Sequence, residues 1–188
     1  GIKMTIEIVS IDIAGVSKFK LKTHADNRGC LTEYFRGCWS SDYQTLQWSV
    51  TTSSRNVLRG MHVHLWRCDY LFVLSGEMTL GLCDIRTDSP TFMKSWLGPV
   101  NFEQPQIWLI PPGVAHGFYT PEDCMYLIGT STYWSMDDEF SCLWDDPELD
   151  LSWGVKTPEL SSRDTNAGSL AQLVREIRGL KSAFLKAP

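Results

Sequence analysis

The sequence contains no block of lysine or arginine residues, and its 17 basic residues are outnumbered by 22 acidic ones. We expect no nucleic-acid partner, because such proteins hold the phosphate backbone with a basic patch. The six cysteines form no C-x-x-C pair, which argues against a zinc knuckle or a thioredoxin-like motif and favours free thiols in a reducing compartment. No hydrophobic run is long enough for a signal peptide or a membrane helix, so we expect a cytoplasmic protein without a membrane partner.

Short strand patterns fill the chain up to about residue 145, as in "YLFVLSGEMTLGLCDIR" and "PQIWLIPPGVAHGFYT". Many short strands at close spacing predict an all-β sandwich or barrel. From about residue 169 to 185, apolar residues at helical spacing predict one amphipathic helix packed on the barrel. These apolar residues are Leu170, Leu173, Val174, Ile177 and Leu180. No repeat or low-complexity linker divides the chain, so we expect residues 1–188 to form a single domain.

The segment "RGMHVHLWRCDYLFVLSGE" carries His62 and His64 two residues apart, followed by Asp69. In a strand, residues two apart share one face, and Asp69 can return to that face after a turn. With His116 in a later P-x-G-x-x-H segment, the spacing resembles the paired motifs of the cupin superfamily. That resemblance implies a double-stranded β-helix, or jelly-roll barrel, with its site at the mouth. Three imidazoles and one carboxylate would suit a divalent zinc, iron, manganese or nickel ion.

Several further motifs occur in order along the chain: "DNRGCLTEYFR", "VLRGMH", "DIRTDSPTF", "IPPGVAHGF", "LWDDPELDLSW" and "LSSRD". Over roughly residues 20–165 they resemble the dTDP-4-dehydrorhamnose 3,5-epimerase family, a branch of the cupins. Separate motifs in the right order make a chance match improbable. The resemblance implies a homodimeric isomerase that needs no metal. Such an enzyme removes and returns a proton beside the 4-keto group of a dTDP- or other nucleotide-linked 4-keto-6-deoxyhexose in deoxysugar biosynthesis.

The resemblance also implies roles for individual residues. It makes His62 the base and Asp164 the carboxylate that orients it, with His116 as a second histidine of the site. A histidine can remove a proton near neutral pH, and a carboxylate on its other nitrogen fixes the tautomer. Substrate-binding roles fall on Arg28, Arg59, Gln47 and His116. Arginines suit the diphosphate of a nucleotide sugar, because their planar fork pairs with oxyanions.

The sequence departs from the family pattern at three positions, which makes it an atypical member. Asp69 stands where the family has a lysine that polarises the ketone, and a carboxylate would repel an enolate. Arg67 lies nearby and reaches the same face only if the turn allows it. The family's tyrosine acid corresponds to Tyr126 in one alignment and to Ile128 in another.

The third departure is His64, which replaces a glutamine. The gained histidine and the lost lysine are the two changes that would restore a metal site formed by His62, His64, Asp69 and His116. Three hypotheses follow: a nucleotide-sugar epimerase, which we favour, a metal-dependent cupin isomerase, lyase or oxygenase, and a non-catalytic sugar-binding barrel.

Overall fold

The computed structural model describes residues 7–39 and 44–184, and the side chains as far as residue 180. Alternating apolar and polar residues form thirteen strands in this part of the chain, numbered β1 to β13 in chain order. The strands are Glu7–Ser10, Ser17–Lys20, Thr23–Asp26, Gly29–Thr32, Gln47–Ser53, Val57–Val63, Asp69–Ser75, Glu77–Asp84, Ser95–Asn101, Gln106–Ile110, Val114–Thr120, Cys124–Thr130 and Phe140–Ser141. Two helices follow them, α1 at Ser162–Thr165 and α2 at Leu170–Phe184, and short 3-10 turns lie at Met136–Asp138 and Pro147–Leu149.

The strands form two facing sheets and a separate hairpin. The six-stranded sheet has the order β1-β2-β10-β7-β12-β5, and the five-stranded sheet has the order β13-β6-β11-β8-β9. The pairs within both sheets are antiparallel. Strands β3 and β4 pair only with each other in this arrangement and are almost wholly exposed. The predicted all-β jelly-roll barrel is confirmed.

Three groups of buried side chains hold these layers together. The first fills the space between the sheets and includes Leu71, Leu82 and Trp108. The second covers the outside of the five-stranded sheet, and the third covers the outside of the six-stranded sheet with aromatic residues such as Tyr70 and Phe72. Because alternate residues of β7 face opposite sides, Asp69 shares the inner face with Leu71, while Tyr70 points outward.

Helix α2 packs its apolar face against the second group. Leu170, Leu173 and Ile177 are buried there, and Val174 is partly buried beside them. The predicted C-terminal amphipathic helix is therefore confirmed, although its expected last residue, Leu185, lies outside the described residues. No helix in the described part of the chain is both long and apolar enough to cross a membrane. That residues 1–188 form a single domain stays a prediction.

Candidate active site

His62 and Asp164 meet where helix α1 packs against strand β6 of the five-stranded sheet. The Nε2 atom of His62, on β6, lies 2.7 Å from Oδ1 of Asp164, on α1. A carboxylate only accepts, so Nε2 carries the hydrogen and Nδ1 keeps its lone pair. The Asp164 side chain is almost completely buried, whereas that of His62 keeps 22% of its surface exposed. His62 is thus an oriented imidazole with a free lone pair that solvent or a ligand can reach.

Asp164 is itself held in place. Ser161, which caps α1, accepts a hydrogen bond from the Asp164 backbone N–H, and the Gly60 N–H donates to Asp164 Oδ2. Burial opposes the charged form of Asp164, but the hydrogen bonds from His62, Gly60 and Ser161 lower its pKa below the usual value. The carboxylate is therefore ionised at neutral pH and can stabilise a proton gained by His62.

Gly60 lets β6 and β11 approach closely beside this pair. Its φ is +128°, and an added Cβ would lie 2.6 Å from the Cα of Gly117 and 2.8 Å from the carbonyl oxygen of His116. Only glycine accommodates both the backbone conformation and the contact. The close approach places His116 directly opposite His62 in the strand register.

A second polar cluster lies deeper in the barrel and contains His64, Asp69 and His116. Their ligand atoms lie within 4.8 Å of one another. His62 is not part of this group, because its Nε2 faces Asp164 instead. The structure thus brings together three of the four residues of the metal alternative, and the guanidinium of Arg67 lies among them.

The side chain of Arg67 lies on the inner face of the barrel, the position that the sequence allowed if the turn between β6 and β7 directed it inward. Its Nε donates to Oδ1 of Asp69 at 3.1 Å, and its Nη2 lies 2.8 Å from Nε2 of His64. The His64 Nδ1 donates to the backbone carbonyl of Asp138 at 2.6 Å, so Nε2 must be the acceptor of the Arg67 bond. Burial lowers the pKa of His64 to about 4, with the positive charge of Arg67 adding to this and Asp69 opposing it.

These contacts do not suit a divalent metal ion. A metal bound to His64 Nε2 would need the lone pair that Arg67 uses, and it would add positive charge beside a buried guanidinium. Asp69, the carboxylate of the group, is already paired with Arg67. The guanidinium therefore occupies the place that a metal cation would need.

Glu139 pairs with two arginines beside the His64 cluster. Its Oε1 lies 3.0 Å from Nη1 of Arg67, and its Oε2 lies 2.9 Å from Nη1 of Arg163. Arg163 directly precedes Asp164 on α1. A chain of ion pairs therefore runs from Arg163, through Glu139, to Arg67 and Asp69.

Tyr126 faces the barrel interior from the opposite sheet. It is 1% exposed, and its hydroxyl lies 3.3 Å from Oγ of Ser53, which also accepts a hydrogen bond from Nε of Arg59 at 3.0 Å. Burial raises the pKa of the Tyr126 phenol, so it is protonated and able to donate at neutral pH. Ile128 lies on the same face and packs against the apolar core between the sheets.

The other predicted substrate-binding residues lie at the periphery. Gln47 begins β5 and accepts a hydrogen bond from the backbone of Trp134 at 3.1 Å. Arg28 lies between β3 and β4 of the exposed hairpin, where it pairs with Asp26. Its side chain is 85% exposed.

Sequence reasoning did not identify Ser53, Asp138, Glu139 or Arg163 as parts of the site. Each of them acts through a partner that is distant in the chain, so local spacing did not indicate its role. Ser53, for example, is separated from Tyr126 by 73 positions. Strand pairing between β5 and β12 would have been needed to find it.

The model of the family described as dTDP-4-dehydrorhamnose 3,5-epimerase matches residues 10–172. The chain belongs to the dTDP-4-dehydrorhamnose 3,5-epimerase family. The resemblance that the motifs indicated over roughly residues 20–165 is confirmed, and the match extends beyond that range at both ends.

Two relatives and one solved structure illustrate the similarity. The dTDP-4-dehydrorhamnose 3,5-epimerase of Shigella flexneri is 32% identical over 178 residues, which cover 86% of this chain and 94% of the relative. The enzyme of the same description from Neisseria gonorrhoeae is 32% identical over 177 residues, which cover 89% of this chain and 53% of the relative. The chain therefore spans about half the length of the Neisseria protein.

The solved structure is the dTDP-6-deoxy-D-glucose-3,5-epimerase of Legionella pneumophila in complex with dTDP-4-keto-L-rhamnose. It shares 27% identity and a TM-score of 0.86, covering 92% of this chain and 97% of that one. Together with the family match, it confirms the predicted epimerase class in preference to the metal-dependent and the non-catalytic alternatives.

Proposed function

We propose that this protein is a nucleotide-sugar epimerase that inverts carbon centres beside the 4-keto group of a dTDP-linked 4-keto-6-deoxyhexose. The observation that carries the proposal is the His62–Asp164 pair, whose 2.7 Å contact leaves one imidazole nitrogen free to accept a proton. A hydrogen next to a ketone is acidic enough for removal when a base lies within reach and the enolate is stabilised.

The two sheets supply groups to opposite sides of the barrel interior. His62 extends from the five-stranded sheet, and Tyr126 extends from the six-stranded sheet that faces it. His62 takes the proton from one face of the sugar, and the phenol of Tyr126 returns a proton to the other face. This division of roles inverts the carbon, whereas return of a proton by His62 itself would restore the starting configuration.

We assign substrate binding to Arg59 and to other side chains at the mouth of the barrel. Arg59 is exposed, and its Nε bonds to Ser53, which places its guanidinium beside the Tyr126 hydroxyl. There it is suited to bind an oxyanion of the diphosphate or a sugar hydroxyl. Gln47 and His116 complete the predicted set. The dTDP-linked ligand of the Legionella enzyme supports a thymidine nucleotide as the carrier.

A homodimer is part of the proposal. The β3–β4 hairpin is exposed on nearly every residue, and Arg28 between its strands is 85% exposed. Packing against a second copy would cover this hairpin and bring Arg28 to a neighbouring barrel.

We also propose that the enzyme needs no metal, because Arg67 occupies the polar cluster with a permanent positive charge. A cytoplasmic location is supported by the six cysteines, all of which are free.

The test is to incubate the protein with dTDP-4-keto-6-deoxyglucose in heavy water and to count incorporated deuterium by mass spectrometry. Two deuterium atoms per sugar indicate proton exchange at both carbons beside the ketone, and one indicates exchange at a single carbon; the configuration of the labelled sugar then shows which exchanged carbons were inverted. The matched control is His62→Asn, which keeps a polar side chain but lacks the base. Binding of the sugar nucleotide with no deuterium above the control would overturn the proposal and favour a binding barrel.

A further inference from the structure

Ser53 lies at the end of β5, beside Tyr126 on the neighbouring strand β12. In the register of these strands Ser53 pairs with Cys124, so Tyr126 stands two residues farther along the same face. Ser53 is 4% exposed, and its Oγ lies 3.3 Å from the hydroxyl of Tyr126. A buried hydroxyl therefore contacts the phenol to which we assign the role of the acid.

The bonds around Ser53 fix the direction of its hydrogen. Its Oγ accepts a hydrogen bond from Nε of Arg59 at 3.0 Å, and a guanidinium can only donate. Among the residues that the structure describes, the other partner of this side chain is the Tyr126 hydroxyl. A buried hydroxyl hydrogen needs an acceptor, so Ser53 donates to the phenol oxygen. The hydrogen of the phenol is then not used by Ser53 and is available to a ligand in the barrel.

Arg59 brings positive charge to the same place. It extends from β6, in the facing sheet, and a second bond from its Nη2 to the backbone carbonyl of Thr52 at 3.4 Å holds it beside β5. Burial raises the pKa of the Tyr126 phenol, whereas the Ser53 bond and the Arg59 charge lower it. These two contributions favour the phenolate, which is the form that Tyr126 takes after it gives up its proton.

We propose that Ser53 is a positioning residue that directs the hydrogen of Tyr126 towards the sugar and stabilises the phenolate left after its transfer. This inference rests on the proposed epimerase function. In this step the O–H bond of Tyr126 breaks, the proton joins the electron pair of the enolate in a new C–H bond, and the negative charge passes to the phenol oxygen. Ser53 donates to that oxygen throughout, and Arg59 polarises the Ser53 hydroxyl. Water returns a proton to the phenolate and takes one from His62 after the product leaves.

The test compares Ser53→Ala, Tyr126→Phe and the double variant with the keto-sugar nucleotide in heavy water. Epimer formation in Ser53→Ala should fall about 10- to 100-fold, the usual effect of losing a hydrogen bond to a charged group. Deuterium exchange into the unconverted sugar should stay within about twofold of the wild type, because His62 performs it without the phenol. In the double variant, epimer formation should be no slower than in Tyr126→Phe alone, because Ser53 acts through Tyr126.

The pH profile gives a readout that a merely structural role would not change. The alkaline limb of epimer formation, where the phenol loses its proton, should move to higher pH in Ser53→Ala, because the phenolate loses a donor. The matched control is Ser54→Ala, at an exposed neighbour whose backbone carbonyl still accepts the bond from Thr120. Ser53→Cys is close in size but has only a weak S–H donor, so it should show the same losses and takes the place of Ser53→Ala if that variant does not fold.

The inference is wrong if Ser53→Ala forms the epimer at the wild-type rate, if exchange and epimer formation fall equally, or if the alkaline limb stays in place. Losses that multiply in the double variant would also contradict it. If the wild-type protein exchanges no proton with any keto-sugar nucleotide, the proposed function fails and the role of Ser53 fails with it. Failure of the Ser53 inference alone leaves wild-type turnover and the His62→Asn defect intact, so the two failures are distinguishable.

Discussion

Replacement of Asp164 by asparagine should abolish most catalysis while leaving the fold intact. The amide of the variant can donate to Nε2 of His62, which moves the imidazole hydrogen to Nδ1, the nitrogen that must accept the substrate proton. The variant also loses the negative charge 2.7 Å from the imidazolium that forms during the reaction. The same replacement in a serine protease triad lowers kcat about 10⁴-fold. We expect a loss of about 10³- to 10⁴-fold here, equivalent to about 4–5.5 kcal/mol of barrier.

The assay is steady-state turnover of the keto-sugar nucleotide, with dTDP affinity and thermal melting measured in parallel. Affinity should change little, since Asp164 lies behind His62 rather than in the open part of the barrel. The control is Asp146→Asn, at a partly buried aspartate whose carboxylate accepts hydrogen bonds from the backbone N–H groups of Glu148 and Leu170. A kcat within threefold of wild type in Asp164→Asn, or an equal loss in Asp146→Asn, would refute the reasoning.

Three further predictions address the acid, the fold and the metal question. In Tyr126→Phe, epimer formation should fall about 10²- to 10³-fold, while His62 still exchanges deuterium into the unconverted sugar. If epimer formation and deuterium exchange fall equally, the phenol has another role. Asp84→Asn should lower the free energy of unfolding by about 2 kcal/mol at pH 7, as measured by urea titration. Burial raises the pKa of Asp84, but hydrogen bonds from neighbouring side chains lower it further, to about 2. The stabilisation by Asp84 is present above the unfolded pKa near 4 and is lost as the pH falls towards 2. The unfolding free energies of variant and wild type should therefore converge in acid, and a difference that stays constant with pH would contradict this prediction. Arg67→Met should allow zinc to bind in calorimetry, whereas the wild type and the Arg67→Met/His64→Gln variant should not; tight binding to the wild type would show that Arg67 does not occupy the cation's place.

Local patterns in the sequence were sufficient for the fold and for part of the site. The sequence predicted that Asp69 can return after a turn to the face that carries His64, and the structure brings the two side chains into one cluster. Helical spacing correctly predicted α2, with Leu173 and Ile177 buried against the barrel. These features depend on residues close together in the chain, where periodicity reports directly on which side is buried.

Contacts between distant segments could not be read from spacing. Asp164 follows His62 by 102 positions, and only the family resemblance joined them before the fold was known. The register that sets His116 opposite His62 depends on the close approach at Gly60. The same spacing rules also made His62 a candidate metal ligand, whereas its orientation towards Asp164 removes it from that group.

The role of Arg67 illustrates why residue types alone were ambiguous. Two histidines and an aspartate can surround either a metal ion or a guanidinium, and the sequence is the same in both cases. The sequence could not show whether the turn between β6 and β7 would direct Arg67 inward. Its bonds to His64 and Asp69 support the arrangement around a guanidinium, and the absence of a metal stays a prediction.

The proposed mechanism requires His62, oriented by Asp164, to remove a proton beside a ketone without a metal. The decisive experiment is a proton NMR time course of dTDP-4-keto-6-deoxyglucose in heavy water with chelator-treated wild-type protein and with His62→Asn. We expect loss of the signals next to the ketone with the wild-type protein and background exchange with the variant. Exchange that stops with the chelator and returns with added zinc or iron, or exchange that is equally fast in the variant, would contradict the mechanism.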